Sequence, residues 1–412
     1  MSNLSKLREE RARIADEANT LNKKFGNSRM PQDTADELEG KLTRIEDIDR
    51  EIRAHMSTAR EAGEEIEPEA IKVNGTKVKI MRTAKDFRAH YRRDSHGADT
   101  SMSFTDVMRG IAGMPTTEGV RASLSEGTAA DGGYLVPTIV MPQVLEALTP
   151  ASSLLTAGVG ILPLEMGAKT YTLAAVDSVP TAAWRLENGN VTESQPVFRA
   201  VVVVPQSLAF HFKVSRELLA DAQGIQQSLV MAFAQAVAKE LDRAGLRGTG
   251  TAPEPRGISN TSGIIAVANG ANGASLATTK FANLFTGLQG ILEANAPAPT
   301  AAIMSPRSRV IMGQLTDSTG QPLRIPQLLE PVNMLSTSQI PNNLTVGTSA
   351  DCSEIYLGDF TKAVFAMREY ISIAKLDQAF ATTGQVGFLC HVRADIVVTY
   401  PKAFSVVTGV RP

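Results

Sequence analysis

Near the start of the chain apolar residues recur at steps of three and four. Leu4, Leu7, Ile14, Ala18, Leu21 and Phe25 form one seam, interrupted at Arg11 and flanked by charge, which is the heptad pattern of a coiled coil. A polar stretch over 26–31 ends it. Thr34, with Glu37 three residues on, predicts a capping box that opens a second helix, whose seam is Leu38, Leu42, Ile45, Ile52 and Met56. Stripes this thin are marginal alone in water, so the two helices are expected to need partners. An acidic stretch over 61–69 and the basic residues Lys72, Lys77 and Lys79 follow. Short helices are predicted around 85–93 and from Ser103, the latter with Phe104, Val107, Met108 and Ile111 turned inward. Residues 113–131 are small, polar and glycine-containing, the composition of an exposed linker, and a domain boundary is placed there.

Beyond that boundary the period shortens to two. Residues 169–173 alternate, 187–196 are rich in turn formers, and an extended run begins at Val197. Within the run Leu208, Phe210, Phe212 and Val214 share one face, and His211, Lys213 and Ser215 the other. This pattern predicts a long two-stranded hairpin, too long to bury itself, that packs on its own domain or reaches onto a neighbouring molecule. One long amphipathic helix is predicted over 222–247, with Ile225, Leu229, Phe233, Ala236, Val237, Leu241 and Ala244 on its apolar side and glycines and prolines ending it. Further helices are expected near 281–295 and 306–315, followed by a strand-rich end over 354–410. No repeat of solenoid or propeller period is present.

Charge divides the chain at the same place. Of the 84 Lys, Arg, Asp and Glu residues, 43 lie in the first 119 positions and 41 in the remaining 293, while the net charge is only −2. Near-neutrality gives no electrostatic drive for tight binding of nucleic acid or anionic membrane by the whole surface. Two cysteines, Cys352 and Cys390, make no disulfide framework or metal motif, which fits a reducing compartment. No apolar run reaches the length of a membrane span, and the first residues lack the apolar stretch of a signal peptide.

Local signatures of chemistry are missing from the sequence. There is no GxSxG elbow, phosphate loop, HExxH or GxGxxG motif. Gly248 and Gly250 follow a helix instead of preceding one, the reverse of a dinucleotide site. Of the five histidines only His90 and His96, six apart, come within metal-ligand spacing, without a cysteine or carboxylate cluster beside them. The small basic cluster of Arg88, Arg92 and Arg93 around Tyr91 is flanked by Asp86 and Asp94, which reads as a solvated helix face. No catalytic, cofactor-binding or metal-ligating residue is assigned.

The order of parts carries more. Asp131-Gly132-Gly133-Tyr134-Leu135-Val136-Pro137 follows the linker, and the long helix ends in Leu246-Arg247-Gly248-Thr249-Gly250. Then come Ile303-Met304-Ser305-Pro306-Arg307, Ile355-Tyr356-Leu357-Gly358-Asp359-Phe360, Arg393-Ala394-Asp395 and Pro401-Lys402-Ala403-Phe404. With the coiled-coil start and the hairpin, this series resembles the tailed-phage major capsid proteins of the Hong Kong 97 type.

The resemblance implies an α+β fold with an axial domain, a peripheral domain carrying a long spine helix, an extended β-hairpin loop and an N-arm, preceded by an α-helical coiled-coil delta domain. Carried onto this chain, the delta domain with its linker is 1–119, the N-arm 120–150 and the extended loop 161–213. The peripheral domain is 214–280 and 351–398 with the spine helix at 222–247, and the axial domain 281–350 and 399–412. The scaffold seam is Leu4, Leu7, Ile14, Leu21, Leu38, Leu42, Ile45 and Ile52. Cleavage on maturation is expected around Gly113, Gly119, Arg121, Ser123 and Asp131. Lys169, Trp184, Glu187 and Phe198 would serve inter-subunit contact in the extended loop, and Ile225, Leu229, Phe233, Val237 and Leu241 would build the spine helix.

The partners implied are copies of the chain itself in pentamers and hexamers, a maturation protease, a portal protein, a decoration protein, and packaged double-stranded DNA contacted without sequence preference. Neither membrane nor cofactor is expected, and the setting is a virion capsid assembled in a bacterial cytoplasm. A gene-transfer-agent shell or encapsulin-like compartment shares the fold, although the delta-like segment argues against an encapsulin. A soluble hydrolase with a coiled-coil tail is the alternative of another class. One feature departs from relatives that cross-link their subunits: Lys169 is present, but Gly384 and His391 stand where an asparagine and a glutamate are expected, so no isopeptide bond is predicted.

Overall fold

In a computed structural model the chain divides into two units, Met1–Glu69 and Ala70–Pro412. The structure describes residues 70–412 except 74–75, 95–101, 127–133, 138–139, 165–169, 179–196, 218–224, 318, 369–370, 377–379 and 381–383. The coiled-coil seam expected from Leu4 to Ile52 lies outside the described residues.

The second unit opens with strands β1 (Ala70–Val73) and β2 (Thr76–Lys79) and helices α1 (Ala84–Asp94), α2 (Phe104–Ile111) and α3 (Glu118–Glu126). Next are β3 (Tyr134–Leu135), α4 (Met141–Ala151), α5 (Ser153–Ala157), β4 (Gly160–Leu164), β5 (Tyr171–Ser178), β6 (Val197–Val203), β7 (Gln206–Ser215) and the long helix α6 (Ile225–Arg247). The last part comprises β8 (Ile265–Ala268), β9 (Ala274–Ser275), α7 (Leu276–Thr279), α8 (Ala282–Glu293), β10 (Ala301–Met304), α9 (Pro306–Gly313), β11 (Asn333–Ser336) and β12 (Leu344–Val346). It closes with β13 (Ser349–Gly358), β14 (Ala363–Arg368), β15 (Ser372–Leu376), β16 (Gln385–Val398) and β17 (Phe404–Arg411).

Local chemistry explains several boundaries. Ser103 accepts from the Asp106 N–H while the Asp106 carboxylate accepts from the Ser103 N–H, a capping box that starts α2. Phe104, Val107, Met108 and Ile111 are all buried on it, as their spacing predicts. Thr83 and Asp86 exchange the same pair of bonds ahead of α1.

The strands form three sheets. One runs β2-β1-β5-β6; a second runs β3-β15-β16-β14-β4 with β7 on β16; the third runs β11-β10-β13-β17-β8 with β12 on β13 and β9 on β17. In the second sheet β14 and β15 pair with successive parts of β16, and β7 pairs with it in ten-residue register from Gln206↔Ala394 to Ser215↔Gln385. The main core joins this sheet, α6, the first helices and the third sheet. A smaller core lies between the root of the first sheet and β4 and β14.

Two expectations are corrected here. The run from Val197 is not one strand of one hairpin. β5 pairs with β6 only as far as Tyr171↔Val203, and the Val204 N–H then turns to the Asp395 carboxylate at 2.8 Å. Pro205 has no N–H to continue a ladder, so the chain changes sheets and β7 joins β16. Its alternation survives: Leu208, Phe210, Phe212 and Val214 face inward, while Ala209, His211 and Lys213 are exposed.

Nor are residues 113–126 of the expected linker an exposed connection; its last part, 127–131, lies outside the described residues. Gly113 turns the chain at φ +79, a conformation that suits glycine. Glu118–Glu126 is then helical, with Val120 and Leu124 buried in the main core. Their i, i+4 spacing gives α3 an inward face despite its small residues, and the boundary between units falls at Glu69/Ala70.

Candidate inter-subunit surfaces and their supports

The hairpin β5–β6 is anchored at its root. Tyr171, Leu173 and Val203 are buried against Leu162, Leu164, Val364 and Ala366. The opposite face is open: Thr172 and Ala200 are exposed, and Val202 is 60% exposed although apolar. Of the predicted loop residues, Lys169, Trp184 and Glu187 lie outside the described residues. Phe198 sits on β6 opposite Val176.

Helix α6 provides the backbone for this arrangement. Phe233, Val237 and Leu241 are buried and Leu229 half-buried, while Ile225 begins the helix. Ala236, expected inward, is exposed; Ala234 and Ala238 take the buried face. Phe233 stands 5.3 Å from Phe104 and 5.2 Å from Phe210, ring centroid to ring centroid. Phe210 and Phe212 then stack at 6.2 Å, and Phe212 meets Phe388 at 5.5 Å. These separations are those of favourable aromatic pairs.

Two polar junctions fix the C-terminal part of α6. Toward its C-terminal half, Asp242 is buried on the apolar face, where its carboxylate accepts from the Ser152 and Ser153 hydroxyls at 2.6 Å each. The Ser153 N–H at 2.8 Å and the Leu154 N–H at 3.3 Å complete the set. It thereby caps α5 from another helix, satisfying N–H groups that a helix start leaves open. Burial raises its pKa above 3.8 against the pull of those four donors. Gly245 allows the close approach: a Cβ there would lie 2.5 Å from Leu154 Cδ1.

At the helix end Arg247 Nε lies 3.3 Å from Glu354 Oε2, and the Tyr356 hydroxyl donates to the same oxygen at 2.7 Å. Burial, and then the Glu354 charge, hold the Tyr356 phenol well above its ordinary pKa. This ties α6 to β13 in the third sheet. Sequence reasoning assigned no role to Asp242; the available signal was one carboxylate on an otherwise apolar helix stripe.

The residues expected around a cleavage point are not gathered into a site. Gly113 is in the turn after α2, while Gly119 and Arg121 are exposed on α3. The Ser123 hydroxyl donates to the Val120 carbonyl at 3.0 Å, and Asp131 is outside the described residues. Gly384 precedes β16 at φ +64, and His391 lies within it opposite Ser372 and Ala209. Both cysteines are buried and free, and burial pushes the Cys390 thiol up to about 12. Among the described residues no group of three or more His, Cys, Asp or Glu side chains could hold a metal ion, and no helix is long and apolar enough to cross a membrane.

The described residues form a mixed α and β subunit with a hairpin anchored at its root and a long helix held by buried polar contacts. The chain belongs to the phage capsid family, whose model matches residues 132–409; proteins of that family are structural components of the virion capsid and not enzymes. Among solved structures, the capsid of a native GTA particle is 19% identical over 63% of this chain and 90% of its own, with a TM-score of 0.47. A chain from Mycobacterium phage Adephagia is 18% identical over 62% and 89%, with a TM-score of 0.47. One from Gordonia phage Cozz is 18% identical over 63% and 87%, with a TM-score of 0.46. No curated protein matches this chain significantly.

Proposed function

We propose that this capsid protein is the shell subunit of a tailed phage, assembling as pentamers and hexamers into an icosahedral particle around double-stranded DNA. The carrying observation is the β5–β6 hairpin, with its root buried in its own subunit and apolar Val202 left 60% exposed on the other face. Laid over a neighbour, such a surface supplies many modest contacts, which lets assembly correct errors before it locks. In this reading α6 is the spine helix, the sheet containing β16 is the peripheral domain, and the sheet around β13 and β17 is the axial domain. The N-terminal coiled coil acts as an internal scaffold that is removed on maturation by a protease. A portal protein and a decoration protein are the further partners, and DNA is met without sequence preference. A gene-transfer-agent shell is the alternative with the same fold. Electron microscopy of the full chain expressed alone tests the assembly reading: closed shells or ring-shaped capsomers are expected, and a single small oligomer without either would refute it.

A further inference from the structure

Residues 70–126 lie upstream of the family match, which begins at residue 132, and all but the last seven fall within the charge-dense part of the chain. Yet their apolar side chains belong to the same two cores as the family region. Met81 and Ile161 exchange backbone hydrogen bonds of 2.8 and 2.7 Å, which fastens the segment to β4. Val73 in β1 pairs with Leu173, so the β1–β2 hairpin covers part of the outer edge of β5. An uncovered strand edge is an open template for another chain.

The helices bind the other side. Gln143 of α4 grips the start of α2 with both ends of its amide: its Oε1 accepts from the Phe104 N–H at 3.2 Å and its Nε2 donates to the Met102 carbonyl at 3.1 Å. Phe104, 1% exposed, packs on Phe233 of α6. Phe87 and Met108 are likewise almost wholly buried. The segment thus contributes a core aromatic to α6 and backbone pairs to β4 and β5.

The structure assigns residues 70–126 to the permanent core of the shell subunit, as an intramolecular clamp that ties the root of the β5–β6 hairpin to the long helix α6. On this assignment, any segment that maturation sheds lies upstream of Ala70. The clamp itself follows from contacts within one subunit; its consequence for what maturation removes rests on the shell reading above.

The test uses the full chain with recognition sequences for a site-specific protease placed between Glu69 and Ala70 and after Glu126. After both cuts under native conditions, size-exclusion chromatography should return the 70–126 fragment with the rest of the chain in equal molar amount, released only by denaturant. Elution of that fragment on its own overturns the proposal. Phe104→Ala in the doubly cut protein should weaken retention roughly a hundredfold or more; unchanged retention would mean aggregation and also overturn it. Should the inserted sequences prevent folding, hydrogen exchange on the uncut chain decides. Amides of α2 should be protected as strongly as those of α6, and exchange at the rate of exposed peptide refutes the clamp. Neither readout depends on particle formation, so failure of the shell reading in the microscope is separately visible.

Discussion

The clamp segment and the β5–β6 hairpin invert what their compositions suggest. The first comes from the charge-dense quarter of the chain and is buried; the second comes from the sparsely charged remainder and leaves a face open. The cause is amphipathicity at short range. On α1, Phe87 and Tyr91 point into the core while Arg88 reaches out to Glu146, with bonds of 2.5 and 2.8 Å. Charge density therefore reports how much of an element is wet, and not whether the element is dispensable. In the hairpin, Val202 lies on a strand whose alternate residues Val201 and Val203 face inward. A second apolar face on a two-sided strand points to a contact beyond the subunit.

The largest effect expected from breaking this contrast is in the clamp. Phe104→Ala should destabilise the subunit by about 3–5 kcal/mol, as for a fully buried aromatic. Urea unfolding of the unassembled protein measures this, and a cost of a few tenths would mean the segment is only laid on the surface.

Next comes the Asp242 junction, where Asp242→Asn should cost about 1–3 kcal/mol, because one of the two oxygens, each accepting from a backbone N–H and a serine hydroxyl, becomes an NH2 group that cannot accept. Its pH dependence is a sharper sign. The folded carboxyl lies above 3.8 because of burial, so the folded protein holds this proton more tightly than the unfolded chain does. The associated stability is fully present below pH 3.8 and is lost as pH rises through the raised value. The D242N variant does not titrate, so the gap between it and the native protein should widen as pH falls through that window. A gap that narrows would contradict the assignment.

Smaller still is the expected effect of Val202→Asp on folding, within about 0.5 kcal/mol for an exposed site, although shells should fail to form. Normal assembly would remove this hairpin face from the account. Finally, boiled shells should run as monomers in detergent gels if, as the resemblance to cross-linking relatives implies, Gly384 and His391 stand where the acceptor asparagine and its helper glutamate would be; a ladder of oligomers would show a covalent link.

Much of the fold was legible because short-range patterns coincided with tertiary burial. The helix start at Ser103, the two-residue alternation of β7 and the stripe of α6 each carried their own evidence. The β1–β2 hairpin was legible too and was missed: Asn74-Gly75 between Ile71, Val73, Val78 and Ile80 is a strong turn signal. The lysines at 72, 77 and 79 masked it. Small residues likewise hid α3, whose inward face is only Val120 and Leu124. The sheet switch after Val203 depends on Asp395, far along the chain, and local pattern does not carry such a partner. The supports at Asp242 and Tyr356 are legible only once the fold brings α5 and β13 to the long helix.

The most direct test of the central contrast is the intact mass of the shell subunit from mature particles, with peptide mapping of its N-terminus. The account predicts that residues 70–126 are present in every subunit, whether or not Met1–Glu69 has been removed. A mature subunit beginning downstream of Glu126, with those residues absent from the particle, would contradict it.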